Sequence, residues 1–214
     1  MRRELLQRIR PQIDGERQPF VAGRCACGRL QLLGDRGFPA GEVSRAGGLG
    51  LSMQGLRMEQ GIGELVGRSE GEFDQGIGEL SDAASALDYL QSMHEGASAC
   101  WVAGFSFGAW IGMQLLMRRP EINGFISVAP PANMYDFSFL APCPSSGLII
   151  NGDADRIVPM EDVVKLSDKL KAQKGITITH QVVPDANHFF EKGMEPMIDT
   201  VKTYVQKRMT EGGR

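Results

Sequence analysis

From about Val66 onward the apolar and polar positions alternate between two spacings, one helical and one extended. The run "LSDAASALDYLQSM" places Leu80, Ala83, Ala84, Leu87 and Leu90 on one face of a helix. It is followed by "CWVAG", a short apolar strand ending at Gly104, and by "AWIGMQLLMRRP", a buried helix that Pro120 stops. "GFISVAP" and "GLIING" are two more short apolar runs of the kind that form strands buried on both faces. "EDVVKLSDKLKAQKG" is an amphipathic helix with late lysines and a glycine stop. "ITITHQVV" alternates as a strand, and "EPMIDTVKTYVQKRM" predicts a last helix with proline near its start. Strands alternating with helices predict an α/β fold, a mostly parallel sheet with helices on both faces.

Residues 1–65 lack this pattern. Glycine and arginine are frequent there, the first lysine of the chain is Lys165, and no segment has four consecutive apolar strand formers. "FPAGEVSRAGGLGLSMQG" reads as loop, since each glycine adds unfolded-state entropy and offers no packing surface. The chain therefore divides into an atypical, poorly ordered N-terminal region, 1–65, and a core, 66–214, with the N-terminal strands of the sheet either missing or not identifiable from the sequence. "QGIGEL" occurs at 60–65 and again at 75–80, but two copies are too few for a repeat architecture and read as local duplication or coincidence. The abrupt change of composition near "GRSEGEFD" is what a shifted reading frame or a mis-joined gene upstream of that point would produce.

Composition narrows the classes of function. With 214 residues, 42% apolar and 23% charged, the chain is long enough for one buried core. A net charge of -3 gives no general attraction to nucleic acid or anionic membrane, and neither is expected as a partner. No apolar run reaches a membrane-spanning length and the start lacks the apolar centre of a secretory signal, so a cytoplasmic location is expected. Cys25, Cys27, Cys100 and Cys143 fit neither a disulfide framework nor a zinc site, so no metal and no cofactor are expected.

The candidate chemistry centres on "GFSFG", residues 104–108. A Gly-x-Ser-x-Gly match alone is weak, since the composition gives about 0.2 chance matches per chain. Its context is specific: an apolar strand ends at Gly104 and a helix opens at Gly108, the setting of a strained turn that lifts a serine hydroxyl from the tip of a sheet. Ser106 is the candidate nucleophile, and it needs a base held in one tautomer by a carboxylate. Of the three histidines, His94 ends a helix and His180 lies within a strand, and both read as structural. His188, in "PDANHFF", follows the last strand at its C-terminal end, where ligand sites of open parallel sheets form. The acid lies in "NGDADRIVP", as Asp153 or Asp155, either of which can also satisfy turn amides. Trp101, Trp110, Phe105 and Phe107 are read as core or pocket wall.

From about Gly67 to Tyr204 the chain resembles the α/β-hydrolase superfamily, and within it the small bacterial hydrolases related to dienelactone hydrolases and predicted esterases. "GFSFG", "GDADRIVP" and "ANHFF" carry the resemblance. The family pattern Gly-x-x-Asp-x-x-Val-Pro matches Gly152, Asp155, Val158 and Pro159, which implies Asp155 rather than Asp153 as the acid. The resemblance implies Ser106 as nucleophile, His188 as base and then acid, and Phe107 N–H as one oxyanion donor. The second donor of the superfamily comes from a loop after an earlier strand, often with a His-Gly or His-Pro motif. No histidine precedes His94, and no strand that would carry such a loop is evident. The expected activity is cleavage of a small-molecule ester, thioester or lactone; the alternative is a catalytically silent or truncated scaffold of the same fold. About seventeen residues join "ISVAP" to "GLIING", too few for a lid domain, so an open site for a small or medium acyl group is expected. Nothing in the sequence indicates an oligomeric state.

Overall fold

The computed structural model describes residues 28–34, 49–53, 74–93 and 99–210. His94, Cys25, Cys27 and the first "QGIGEL" copy lie outside the described residues, as does most of the 1–65 region. Four parallel strands form the centre: β3 (Cys100–Phe105), β4 (Ile122–Val128), β5 (Gly147–Gly152) and β6 (Ile178–Val183). Helices α1 (Ile77–Met93), α2 (Phe107–Leu116), α3 (Met160–Lys171) and α4 (Met194–Thr210) accompany them in the predicted order.

Side chains of the parallel strands alternate between two cores. Val102, Phe125, Ile149 and Ile178 pack on one face against Ala83, Ala86 and Leu87 of α1, Ile111 and Leu115 of α2, and Val163, Leu166 and Leu170 of α3. Trp101, Ile126, Val128, Leu148 and Ile150 point to the other face, with Tyr204 of α4 among them. Because both faces are covered, strands such as "GLIING" are buried at every position, and each fully buried Leu, Ile or Phe contributes about 1.5–3 kcal/mol.

The second "QGIGEL" copy opens α1. The Glu79 carboxylate accepts the N–H groups of Asp74 (2.9 Å) and Gly76 (2.8 Å), satisfying donors that a helix start leaves unpaired.

In the N-terminal third, whose strands the sequence leaves unidentified or missing, two short strands are among the described residues. β1 (Gly28–Gly34) pairs antiparallel with β3, and β2 (Leu49–Met53) pairs antiparallel with β1, giving the sheet order β2-β1-β3-β4-β5-β6. β2 lies inside the stretch that reads as loop. Both segments alternate, "GRLQLLG" and "LGLSM", so a criterion of consecutive apolar residues passes over them. Their main chains pair in register, Gly50 opposite Gln31 and Leu30 opposite Gly104.

Candidate functional site

The carboxyl ends of β3, β5 and β6 bring three side chains together. β3 runs into α2 through Ser106, whose backbone is at φ 51, ψ -123, a conformation that costs a non-glycine residue about 1–3 kcal/mol. The turn is held by its surroundings: Ser106 N–H donates to Val128 O on the neighbouring strand (2.8 Å), and Ser106 O accepts from Ala109 N–H (2.8 Å). A Cβ added to Gly104 would lie 2.2 Å from Gly108 O, so strand and helix pass too closely for any side chain there.

Ser106 occupies the N-cap of α2, where a serine hydroxyl ordinarily accepts a backbone N–H, yet it makes no such bond. Its Oγ lies 3.0 Å from His188 Nε2, and His188 Nδ1 lies 2.7 Å from Asp155 Oδ2. An ionised carboxylate only accepts, so Nδ1 carries the ring proton and donates it to Asp155, leaving the Nε2 lone pair to accept the Ser106 hydroxyl. The Asp155 and His188 side chains are 0% and 6% exposed, so water does not compete for that pairing.

Asp155 is itself held. Its Oδ1 accepts the N–H groups of Ile157 (2.8 Å) and Val158 (2.9 Å) in the turn between β5 and α3. The outer end of that turn is tied to the β4–β5 connection, where Asn133 Nδ2 donates to Ile157 O (2.9 Å). The His188 ring packs beside both Phe105 and Phe189, with ring centroids 5.1 and 5.3 Å away, and those two rings are themselves 6.4 Å apart; Phe189 is 46% exposed. Phe107 opens α2 directly after Ser106, with its own ring against Trp110 and Tyr135.

Of the two acids in "GDAD", Asp155 reaches the histidine. The Asp153 carboxylate instead accepts Asp185 N–H (2.7 Å). His180, on β6, lies 2.6 Å through Nε2 from Asn151 Oδ1, and burial pushes its pKa below the usual imidazole value. Asn133 gives no sequence signal, because its partner is 24 positions away and is a main-chain carbonyl.

The model of the dienelactone hydrolase family matches residues 68–211. The chain belongs to the dienelactone hydrolase family. An uncharacterized relative in Rickettsia prowazekii (strain Madrid E) is 48% identical over 144 residues, 65% of this chain and 60% of that protein. The chain thus spans about 60% of the length of the curated relative it matches. Among solved structures, a protein of unknown function from Agrobacterium tumefaciens, proposed as an alpha/beta hydrolase, is 63% identical, with a TM-score of 0.66 over 69% of this chain and 67% of that one. An alpha/beta serine hydrolase without lid from Xanthomonas campestris is 33% identical, with a TM-score of 0.58 over 66% of this chain and 62% of that one.

The family match begins at residue 68, the place where the sequence pattern changes. Among the described residues no helix is long and apolar enough to cross a membrane, and no three His, Cys, Asp or Glu side chains cluster as metal ligands. The superfamily's second oxyanion loop would fall in residues 1–65, where only β1 and β2 are among the described residues.

Proposed function

We propose that this protein is a serine hydrolase that cleaves a carboxylic ester, thioester or lactone through an acyl-enzyme. The observation that carries the reading is the relay of Ser106, His188 and Asp155, its histidine–aspartate pair buried, in which the serine hydroxyl is diverted from helix capping to the imidazole. Membership of the dienelactone hydrolase family and the likeness to the Xanthomonas serine hydrolase support it.

In this reading Ser106 Oγ attacks the carbonyl carbon while His188 Nε2 takes the hydroxyl proton. Asp155 stabilises the resulting imidazolium and keeps the ring from turning. The tetrahedral oxyanion accepts the Phe107 N–H at the positive end of α2. It collapses by expelling the alkoxide or thiolate, which takes the proton from Nε2. Water then gives a proton to Nε2 as its oxygen attacks the acyl carbon, and collapse of the second intermediate releases the acid and restores Ser106 Oγ–H. Phe105 and the exposed Phe189 supply apolar faces beside the base for the acyl or leaving group.

The test is steady-state hydrolysis of short-chain p-nitrophenyl esters by the parent, Ser106→Ala and His188→Ala. The reading requires turnover by the parent and a loss of about 10⁴-fold or more in each variant. Equal turnover in parent and Ser106→Ala would rule it out.

A further inference from the structure

The loop that carries His188 is hung on the turn that carries Asp155. Ala154 N–H donates to Ala186 O (3.1 Å), and Asp153 N–H donates to Val183 O (3.3 Å). Asp153 Oδ1 accepts Asp185 N–H at 2.7 Å, across 32 positions of sequence. Asp185 lies in the left-handed region at φ 56, so the loop bends sharply where this bond holds it. The two segments are also in close main-chain approach: a Cβ on Gly152 would sit 2.0 Å from Ala186 O. Asp153 has no part in capping the helix that follows; α3 starts after Pro159 without a side-chain cap.

We propose that Asp153 is a positioning residue: its carboxylate fixes the Asp185 bend and so sets the distance from His188 Nε2 to Ser106 Oγ. This rests on the proposed serine-hydrolase reading. The two aspartates of "GDAD" then divide the work, Asp155 holding the imidazole itself and Asp153 holding the loop that delivers it. Besides the His188–Asp155 bond, three ties join this turn to the end of β6 and the loop after it: two are main-chain bonds that an alanine or asparagine at Asp153 leaves in place, and the third is the Asp153 side chain. Asp153 and Asp185 are exposed, so water replaces part of what the carboxylate supplies and the effect is graded rather than complete.

The experiment compares the full chain with Asp153→Ala and Asp153→Asn. It measures the rate constant of fluorophosphonate labelling at Ser106, kcat and KM on a p-nitrophenyl ester, the midpoint of thermal unfolding, and amide exchange at Asp185. Asp153→Ala is expected to label about fivefold more slowly, with kcat reduced alike, KM unchanged and faster exchange at Asp185. Asp153→Asn keeps an oxygen acceptor and is expected to recover most of the rate. Labelling of folded Asp153→Ala at the parent rate, with only the unfolding midpoint lowered, would reduce Asp153 to a structural residue and overturn the proposal. An Asn variant as slow as the Ala variant would overturn it too, because charge rather than the bond would then be responsible. A parent that is not labelled at Ser106 overturns the serine-hydrolase reading. Exchange at Asp185 then judges the clamp by itself: unchanged exchange in Asp153→Ala overturns it, and faster exchange upholds it.

Discussion

Replacing Asp155 by alanine and by asparagine separates its two tasks. Oδ1 accepts two backbone N–H groups and Oδ2 accepts the imidazole N–H, so alanine removes three bonds from a side chain with no exposure. A buried donor that loses a charged acceptor costs about 1.5–3 kcal/mol. Val158 is 0% exposed and its N–H meets the full cost; Ile157 is 37% exposed, and water can reach its N–H. The backbone part of the loss is therefore about 2–4 kcal/mol, a large share of the roughly 5–15 kcal/mol that holds a domain folded. Asparagine differs. The two N–H donors hold its carbonyl oxygen at the Oδ1 place, so the turn survives at a cost of about 1 kcal/mol. Its amide N–H₂ then faces the ring, Nδ1 must accept, and the proton moves to Nε2. The ring now donates to Ser106 instead of accepting from it, and the hydroxyl has no base. The expected fall in ester turnover is about 10⁴-fold, the order found when a triad aspartate of a serine protease is so replaced. Thermal unfolding and p-nitrophenyl ester kinetics on both variants check this. Turnover by Asp155→Asn within tenfold of the parent would refute the tautomer argument, and equal unfolding midpoints for the two variants would refute the account of the turn.

Gly104→Ala drives a methyl group to 2.2 Å from Gly108 O and 2.6 Å from Ala109 Cα, backbone atoms that cannot swing aside. It should cost about 3 kcal/mol and abolish labelling of the serine, as measured by unfolding and by fluorophosphonate reaction. His180 has its pKa lowered by burial, so the unfolded chain takes up a proton there before the folded one does. Its contribution to stability is present above the unfolded value of about 6.5 and is lost as pH falls through the lower folded value. Unfolding midpoints measured from pH 7.5 to 5 should therefore drop less steeply in His180→Gln than in the parent, and parallel curves would exclude the effect.

Three of the four parallel strands were legible because strands buried on both faces are written as continuous apolar runs, and the fourth, β6, because it alternates. "GLIING" is both the predicted run and the observed strand, residue for residue. The elbow was legible for a steric reason: Gly104 and Gly108 mark a crossing of strand and helix that admits no Cβ at Gly104. Asp153 and Asp155 were not separable by composition or spacing, since both sit in one turn. What separates them is direction, toward His188 Nδ1 or toward Asp185 N–H, and only the family pattern pointed to Asp155. The pairing of β1 and β2 was hidden because both segments alternate in polarity and the second lies in a glycine-rich stretch, so neither is written as a continuous apolar run. Asn133 was hidden for a related reason, as a side chain whose only sequence cue would be a partner in another loop.

The central claim is that Ser106 is an activated nucleophile. The most direct test is reaction of the purified full chain with a fluorophosphonate, followed by peptide mass spectrometry to locate the adduct. The account predicts one adduct per chain, on Ser106, formed rapidly in the parent and lost in His188→Ala. A folded parent that forms no adduct, or forms it on another residue, would contradict it.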